Sequence, residues 1–95
     1  MKAPLACSDL QEIRVEIDEI DHRIIAALGE RFGYVKAAAR FKSDATSVSA
    51  PERVAAMMQQ RRLWAEEEGL DPDVIERLFR DLVSYFTREE ARHVK

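Results

Sequence analysis

Several cations stand in this sequence at positions where a packed helix would otherwise carry neutral residues. Arg31 and Lys42 are eleven residues apart, three helical turns, so on one helix they share a face with Tyr34, Val35 and Ala38. Further on, Arg53, Met57 and Trp64 fall at i, i+4 and i+11, which puts Arg53 at the edge of an apolar stripe. Phe79, Val83, Phe86 and Glu90 fall at i, i+4, i+7 and i+11, so Glu90 faces inward if that helix persists and outward if its last turn frays. Guanidinium and ammonium groups that converge hold carboxylates by charge-assisted hydrogen bonds. The chemistry on offer is the capture of a small anion. Each cation also has an ordinary reading: Arg14 can pair with Asp18 at i+4, Lys42 suits a helix C-terminus, and Arg31 can be a solvated charge. Met57 and Trp64 read first as core packing, although Met57 shares its face with Arg53.

Other catalytic apparatus is not visible. There is no Ser-His-Asp or Cys-His arrangement and no glycine-rich phosphate loop, and His22 and His93 lack a third ligand at metal spacing. Neither a metal nor a cofactor is expected.

The element that must position these residues is a long helix from Ser8 to about Lys42. Leu10, Ile13, Ile17, Ile20, Ile24, Leu28, Phe32, Val35 and Ala39 follow steps of three and four, the period of one helix face. Ser8 with Gln11 is expected to form the capping box at its start. Such a helix spans roughly 50 Å, whereas a compact chain of 95 residues has a radius of gyration of about 12 Å. Its apolar stripe therefore outruns one domain, and a two-fold homodimer is the simplest way to cover it. Arg14 lies seventeen residues before Arg31, roughly 25 Å along the axis, too far to share a small ligand within one chain. Antiparallel packing about a two-fold near His22 and Arg23 brings Arg14 of one chain level with Arg31 of the other. The dimer would then hold two composite cationic pockets. Gly29 and Gly33, four apart, mark either a close approach on one side of this helix or simple tolerance.

Residues 1–7, with Pro4 and no periodicity, are expected to be a loosely held arm. Ser43 to Ser49 is small and polar, a loop. Ser49-Ala50-Pro51-Glu52 restarts a helix by a capping box with proline in the first turn. This second helix runs to about Glu68, with Val54, Met57, Met58, Trp64 and Ala65 inward and Gly69 as the left-handed residue past its end. Asp71-Pro72 opens a third helix, whose core face is Val74, Ile75, Leu78, Phe79, Leu82, Val83 and Phe86 and which persists into the low nineties. The fold class is all-α: three helices in one domain over residues 1–95, the first very long.

Composition agrees. The chain is 46% hydrophobic and 35% charged, and 15 basic against 18 acidic residues give −3, which argues against nucleic acid or an anionic membrane as partner. Cys7 is the one cysteine, so no intrachain disulfide can form. With no signal-like start and no run of eighteen apolar residues, a cytoplasmic protein is expected.

Taken together, these residues resemble the all-α chorismate mutase family. The resemblance is carried by Ile13-Arg14, Ile17-Asp18 and Ile20-Asp21, by Arg31 with Tyr34-Val35-Lys36-Ala37-Ala38, and by Arg40-Phe41-Lys42. It continues through Ala50-Pro51-Glu52-Arg53-Val54-Ala55-Ala56-Met57, Trp64-Ala65-Glu66-Glu67 and Gly69-Leu70-Asp71. It implies an intertwined homodimer whose pockets each take one arginine from the partner chain. Arg14 of the partner, Arg31 and Arg53 would hold the substrate carboxylates, and Lys42 would reach a carboxylate and the ether oxygen of the enolpyruvyl group. Ser43 to Ser49 would be a lid. Tyr34, Ala38, Met57 and Glu90 complete the implied substrate-binding set, with Lys42 and Glu90 as its catalytic members.

Within the family, two departures point to the branch that eliminates pyruvate from isochorismate to leave salicylate, the siderophore precursor. Ala50 stands where mutases of the family carry an aspartate that helps hold the ring hydroxyl of chorismate, and Val54 stands where they place a further acidic contact. Glu90 replaces the glutamine common in the family. A protonated Glu90 could donate to the ether oxygen, whereas an ionised one opposes the charge developing there, so activity is expected to fall as Glu90 ionises. The rival expectations are a mutase acting on chorismate or an amino-substituted chorismate, and a non-catalytic helical dimer that regulates or scaffolds a partner.

Overall fold

The computed structural model describes residues 1–42 and 51–93, and among these the chain is helical throughout its regular elements. The helices are α1 (Leu10–Ala38), α2 (Pro51–Glu67) and α3 (Pro72–Ala91), with short 3-10 turns at Pro4–Ala6 and Ala39–Phe41. The chain divides into two compact units, Met1–Gly33 and Tyr34–Lys95.

In the first unit Asp9, not Ser8, caps α1. Its Oδ1 accepts the Glu12 N–H at 2.9 Å, and the Glu12 carboxylate reaches back to accept the Ser8 N–H at 2.9 Å and the Ser8 hydroxyl at 2.6 Å. The expected Ser8–Gln11 box is thus displaced by one residue. Two carboxylates near a helix N-terminus gain from its dipole in a way that the neutral Ser8 and Gln11 side chains do not. The arm is also held more firmly than expected: Lys2 donates its backbone N–H to Glu16 at 3.1 Å and pairs its ammonium with Glu12. Arg23 reaches Met1 Sδ at 3.5 Å. The hydrogen bond from Lys2, helped by those from Ser8, pulls the Glu12 carboxyl down to about 2.

No residue of α1 is buried. Ile13, Ile17, Ile20 and Ile24, the centre of the expected stripe, are between 39% and 52% exposed. Among the described residues, a Cβ added at Gly29 or Gly33 would meet nothing within 4 Å, so neither glycine answers to a close approach by any of them.

In the second unit, the expected helix to Lys42 tightens into the Ala39–Phe41 turn, closed by the Lys42 N–H on Ala39 O at 3.2 Å. Such a turn satisfies carbonyls that an α-helix leaves open at its end. Ala39 is fully buried. Pro51 occupies the first turn of α2 as expected, while Ser49, Ala50 and the Ser43–Ser49 loop lie outside the described residues.

Gly69 ends α2 with φ +74°. The Leu70 N–H donates to Ala65 O at 2.8 Å and the Gly69 N–H to Glu66 O at 3.1 Å, the paired bonds of a Schellman motif. Two residues later the Asp71 carboxylate accepts the Asp73 N–H at 2.9 Å and caps α3, with Pro72 in its first turn. This short connection packs α3 against α2.

The core contains Met57, Met58 and Ala65 of α2 and Phe86 of α3. Val54, Ile75, Phe79, Leu82 and Val83 are half-buried at its edge. Trp64, Val74 and Leu78, expected inside, are exposed. Val74 and Leu78 lie at one margin of the α3 stripe, beyond the face that α2 covers. The Trp64 indole instead lies beneath the Arg61 guanidinium, whose carbon is 4.9 Å from its ring centre and 5.7 Å from that of Phe79. Arg62 clamps the hairpin, with Nη1 2.9 Å from both Asp73 Oδ1 and Glu76 Oε1, and Arg80 Nη2 closes on Glu76 Oε2 at 2.7 Å.

Candidate functional site

Lys42 and Glu90 are the candidate residues that the structure brings together. Lys42 follows the 3-10 turn with an extended backbone, φ −104° and ψ 139°, and Glu90 sits in the last turn of α3. Lys42 Nζ lies 3.1 Å from Glu90 Oε2. The expectation that Glu90 faces inward holds: it is a buried charged residue, 7% exposed, one turn beyond the buried Phe86. The helix persists through Ala91, with the Arg92 N–H donating to Glu89 O at 3.2 Å and the His93 N–H to Glu90 O at 2.9 Å, so this last turn does not fray.

The environment accounts for the pairing. A carboxylate removed from water is costly unless a cation or hydrogen-bond donors replace the lost hydration. Glu90 Oε2 is enclosed and has no hydrogen bond of good geometry among the described residues, so the Lys42 ammonium is its charge partner. Lys42 keeps part of its side chain in solvent, 27% exposed against 10% for Glu90. A ligand could therefore approach the ammonium from its open side.

The remaining candidates are distributed as follows. In the second unit Tyr34 and Arg53 are exposed, Ala38 is half-buried and Met57 is buried among the apolar residues of α2. In the first unit Arg14 is exposed and Arg31 half-buried. Val54, where the family resemblance implies a missing acidic contact, is half-buried at the start of α2.

Sequence reasoning passed over Arg61 and Arg62, whose contacts are structural. The signal was present in the spacing of Arg61 and Trp64, three apart on one helix, and in the acidic residues Asp73 and Glu76 that open α3. Hydrogen bonds from Arg80 and then Arg62 hold the Glu76 carboxyl below its ordinary range, and those to Asp73 and Glu76 raise Arg62 in turn.

Among the described residues no three His, Cys, Asp or Glu side chains are grouped to hold a metal, and no helix is long and apolar enough to cross a membrane. A surface concavity lined by Lys2, Gln11, Glu12, Val15 and Glu16 contains none of the candidate site residues.

Residues 13–91 match the family described as chorismate mutase type II. The chain is 47% identical over 93 residues to the isochorismate pyruvate lyase of Pseudomonas aeruginosa, a match that covers 98% of this chain and 92% of that protein. It is 37% identical over 81 residues to the T-protein of Haemophilus influenzae, with 84% of this chain covered, and 34% over 90 residues to that of Enterobacter agglomerans, with 93% covered. Those two matches span 20% and 24% of the T-proteins themselves.

Proposed function

The chain belongs to the chorismate mutase type II family, and on that premise we propose that it is an isochorismate pyruvate-lyase acting in the cytoplasm. The observation that carries this reading is the 47% identity to a lyase of that name along nearly the whole of both chains. Ala50 and Val54 support it, since neither can hold the ring hydroxyl of chorismate as an acidic residue would.

The reaction is a concerted pericyclic elimination. The ether bond between ring and enolpyruvyl group breaks while a ring hydrogen passes to the enolpyruvyl methylene, giving pyruvate and an aromatic salicylate ring. No general base is needed. The protein must fold a flexible dianion into its compact reactive conformer and place cations where negative charge grows on the ether oxygen. Arg31 and Arg53 with Arg14 of a second copy serve the first task, and Lys42 the second. Tyr34, Ala38 and Met57 line the substrate, and Glu90 stands beside Lys42.

A homodimer with shared sites completes this reading. It is supported by the isoleucine stripe of α1, which is largely uncovered within one chain although its spacing is that of a packed face.

Incubation of the purified protein with isochorismate and, separately, with chorismate tests the proposal. Salicylate fluorescence from isochorismate, well above prephenate formation from chorismate, is the expected result. The family description favours one second reading, a chorismate mutase, and prephenate as the main product would establish it. Turnover of neither, with no binding of dianions, would leave a non-catalytic helical dimer.

A further inference from the structure

Glu90 is placed oddly for a protein that binds anions. Its carboxylate is buried, it lies 3.1 Å from the Lys42 ammonium, and Oε2 is enclosed without a well-formed hydrogen bond. A structural carboxylate at a helix end normally gathers N–H donors; among the described residues this one pairs with the Lys42 ammonium. That cation in turn has three N–H donors and a partly open side.

We propose that Glu90 is an internal counterion of Lys42 in the ligand-free protein, and that an incoming carboxylate or ether oxygen must take Lys42 over from it. The inference rests on the reading of Lys42 as a substrate contact. Glu90 then acts as a positioning residue with two opposed effects. It holds the ammonium at the buried end of α3, which prepares the site, and it places negative charge beside every anion that enters, which weakens binding. A dianion anchored elsewhere by arginines overcomes that opposition, whereas a monoanion with one anchor does not. Glu90 thereby sets a charge threshold for ligands.

The test uses the full-length protein with Glu90→Gln, which keeps the shape of the side chain and removes its charge. One arm does not depend on turnover. Lys2, Lys36, Lys42 and Lys95 are labelled with 13C-methyl groups by reductive methylation, and the Lys42 signal is assigned from Lys42→Arg. In the ligand-free protein that signal should move in Glu90→Gln while those of Lys2 and Lys36 stay in place. A stationary Lys42 signal would overturn the proposal.

A second arm measures binding of malonate and of acetate. Glu90→Gln should tighten both, malonate at least as much as acetate, by about tenfold, the size of one unfavourable charge contact in a partly buried site. Equal affinities in the two proteins, or no malonate binding to either, would also overturn the proposal. The third arm is kinetic, with KM for isochorismate falling in the variant by more than kcat changes. Failure to form salicylate while the lysine signal and malonate affinity respond as stated would sink the lyase assignment alone.

Discussion

Arg62 of α2 places Nη1 2.9 Å from Glu76 Oε1 and 2.9 Å from Asp73 Oδ1 of α3, and these contacts join the two helices into a four-residue charge network completed by Arg80 on Glu76. The Glu76 carboxyl is held below its ordinary value of 4.5, first by Arg80 and then by Arg62. A lowered folded-state pKa means that the unfolded chain takes up its proton first as the pH falls. The contribution is thus complete above about pH 4.5 and is lost as the pH drops through the lowered folded value. Glu76→Gln should reduce Tm at pH 7 and flatten the dependence of Tm on pH on the acid side of Glu76's ordinary value of 4.5. Circular dichroism melts across that range check it, and parallel curves for the two proteins would show the network to be fully screened by solvent.

The start of α1 distinguishes two neighbouring residues. Asp9 accepts the Glu12 N–H, so Asp9→Ala should cost about 1 kcal/mol by urea unfolding, the usual loss of a helix cap. Ser8→Ala should cost less, because Ser8 gives its hydroxyl to Glu12 without accepting a backbone N–H of the helix. The reverse order would return the cap to Ser8. Glu12, drawn down to about 2 chiefly by Lys2, keeps this junction intact in acid until the pH falls well below 4.5.

Lys42→Ala should lower turnover of isochorismate about 10²- to 10³-fold, the range for removing one preorganised charge contact to a transition state. The same change leaves the buried Glu90 carboxylate without its charge partner, so Tm should fall as well. Glu90→Gln added to Lys42→Ala should restore Tm without restoring turnover. Turnover within tenfold of the unaltered protein at saturating substrate would make Lys42 a helix-end cation only.

Arg14 and Arg31 should complement each other across a dimer. In the proposed dimer each alanine variant alone should disable both sites, while a mixed dimer would hold one site with both arginines and one with neither. Activity should partly return when Arg14→Ala and Arg31→Ala proteins are mixed and re-equilibrated. No return, with mixed dimers detected by mass spectrometry, would show that the two arginines do not meet.

Much of this molecule is legible in its sequence because local rules write it. Asp71-Pro72 and Gly69 carry their own backbone requirements, and the structure obeys them at φ +74° and at the Asp71 cap. The inward face of Glu90 follows from a helix period that runs unbroken to Ala91. What sequence misjudged depends on competition between similar choices or on neighbours distant along the chain. Ser8 and Asp9 are both good caps, and only the reach of Glu12 decides between them. Trp64 has the spacing of a core residue, yet Arg61 and the rim of α3 give the indole a partly solvated place. The Lys42–Glu90 pair is not among the misjudged features: its residues are 48 positions apart, which no periodicity can connect, and it is the family resemblance that sets both in one site.

The reversal at Gly69 also orders events in time. Leu70 bonds back to Ala65, and Asp71 caps the next helix immediately, so α2 and α3 meet across a connection of only a few residues. Closing so short a loop loses little chain entropy, and contacts between sequence neighbours form fastest. The hairpin is therefore the natural folding nucleus, with its Arg62 clamp available as soon as the turn is made. The isoleucines of α1 have no such local reward. In the homodimer proposed above, their consolidation would follow an encounter with a second copy, and that last step of maturation would be a matter of concentration rather than of sequence distance.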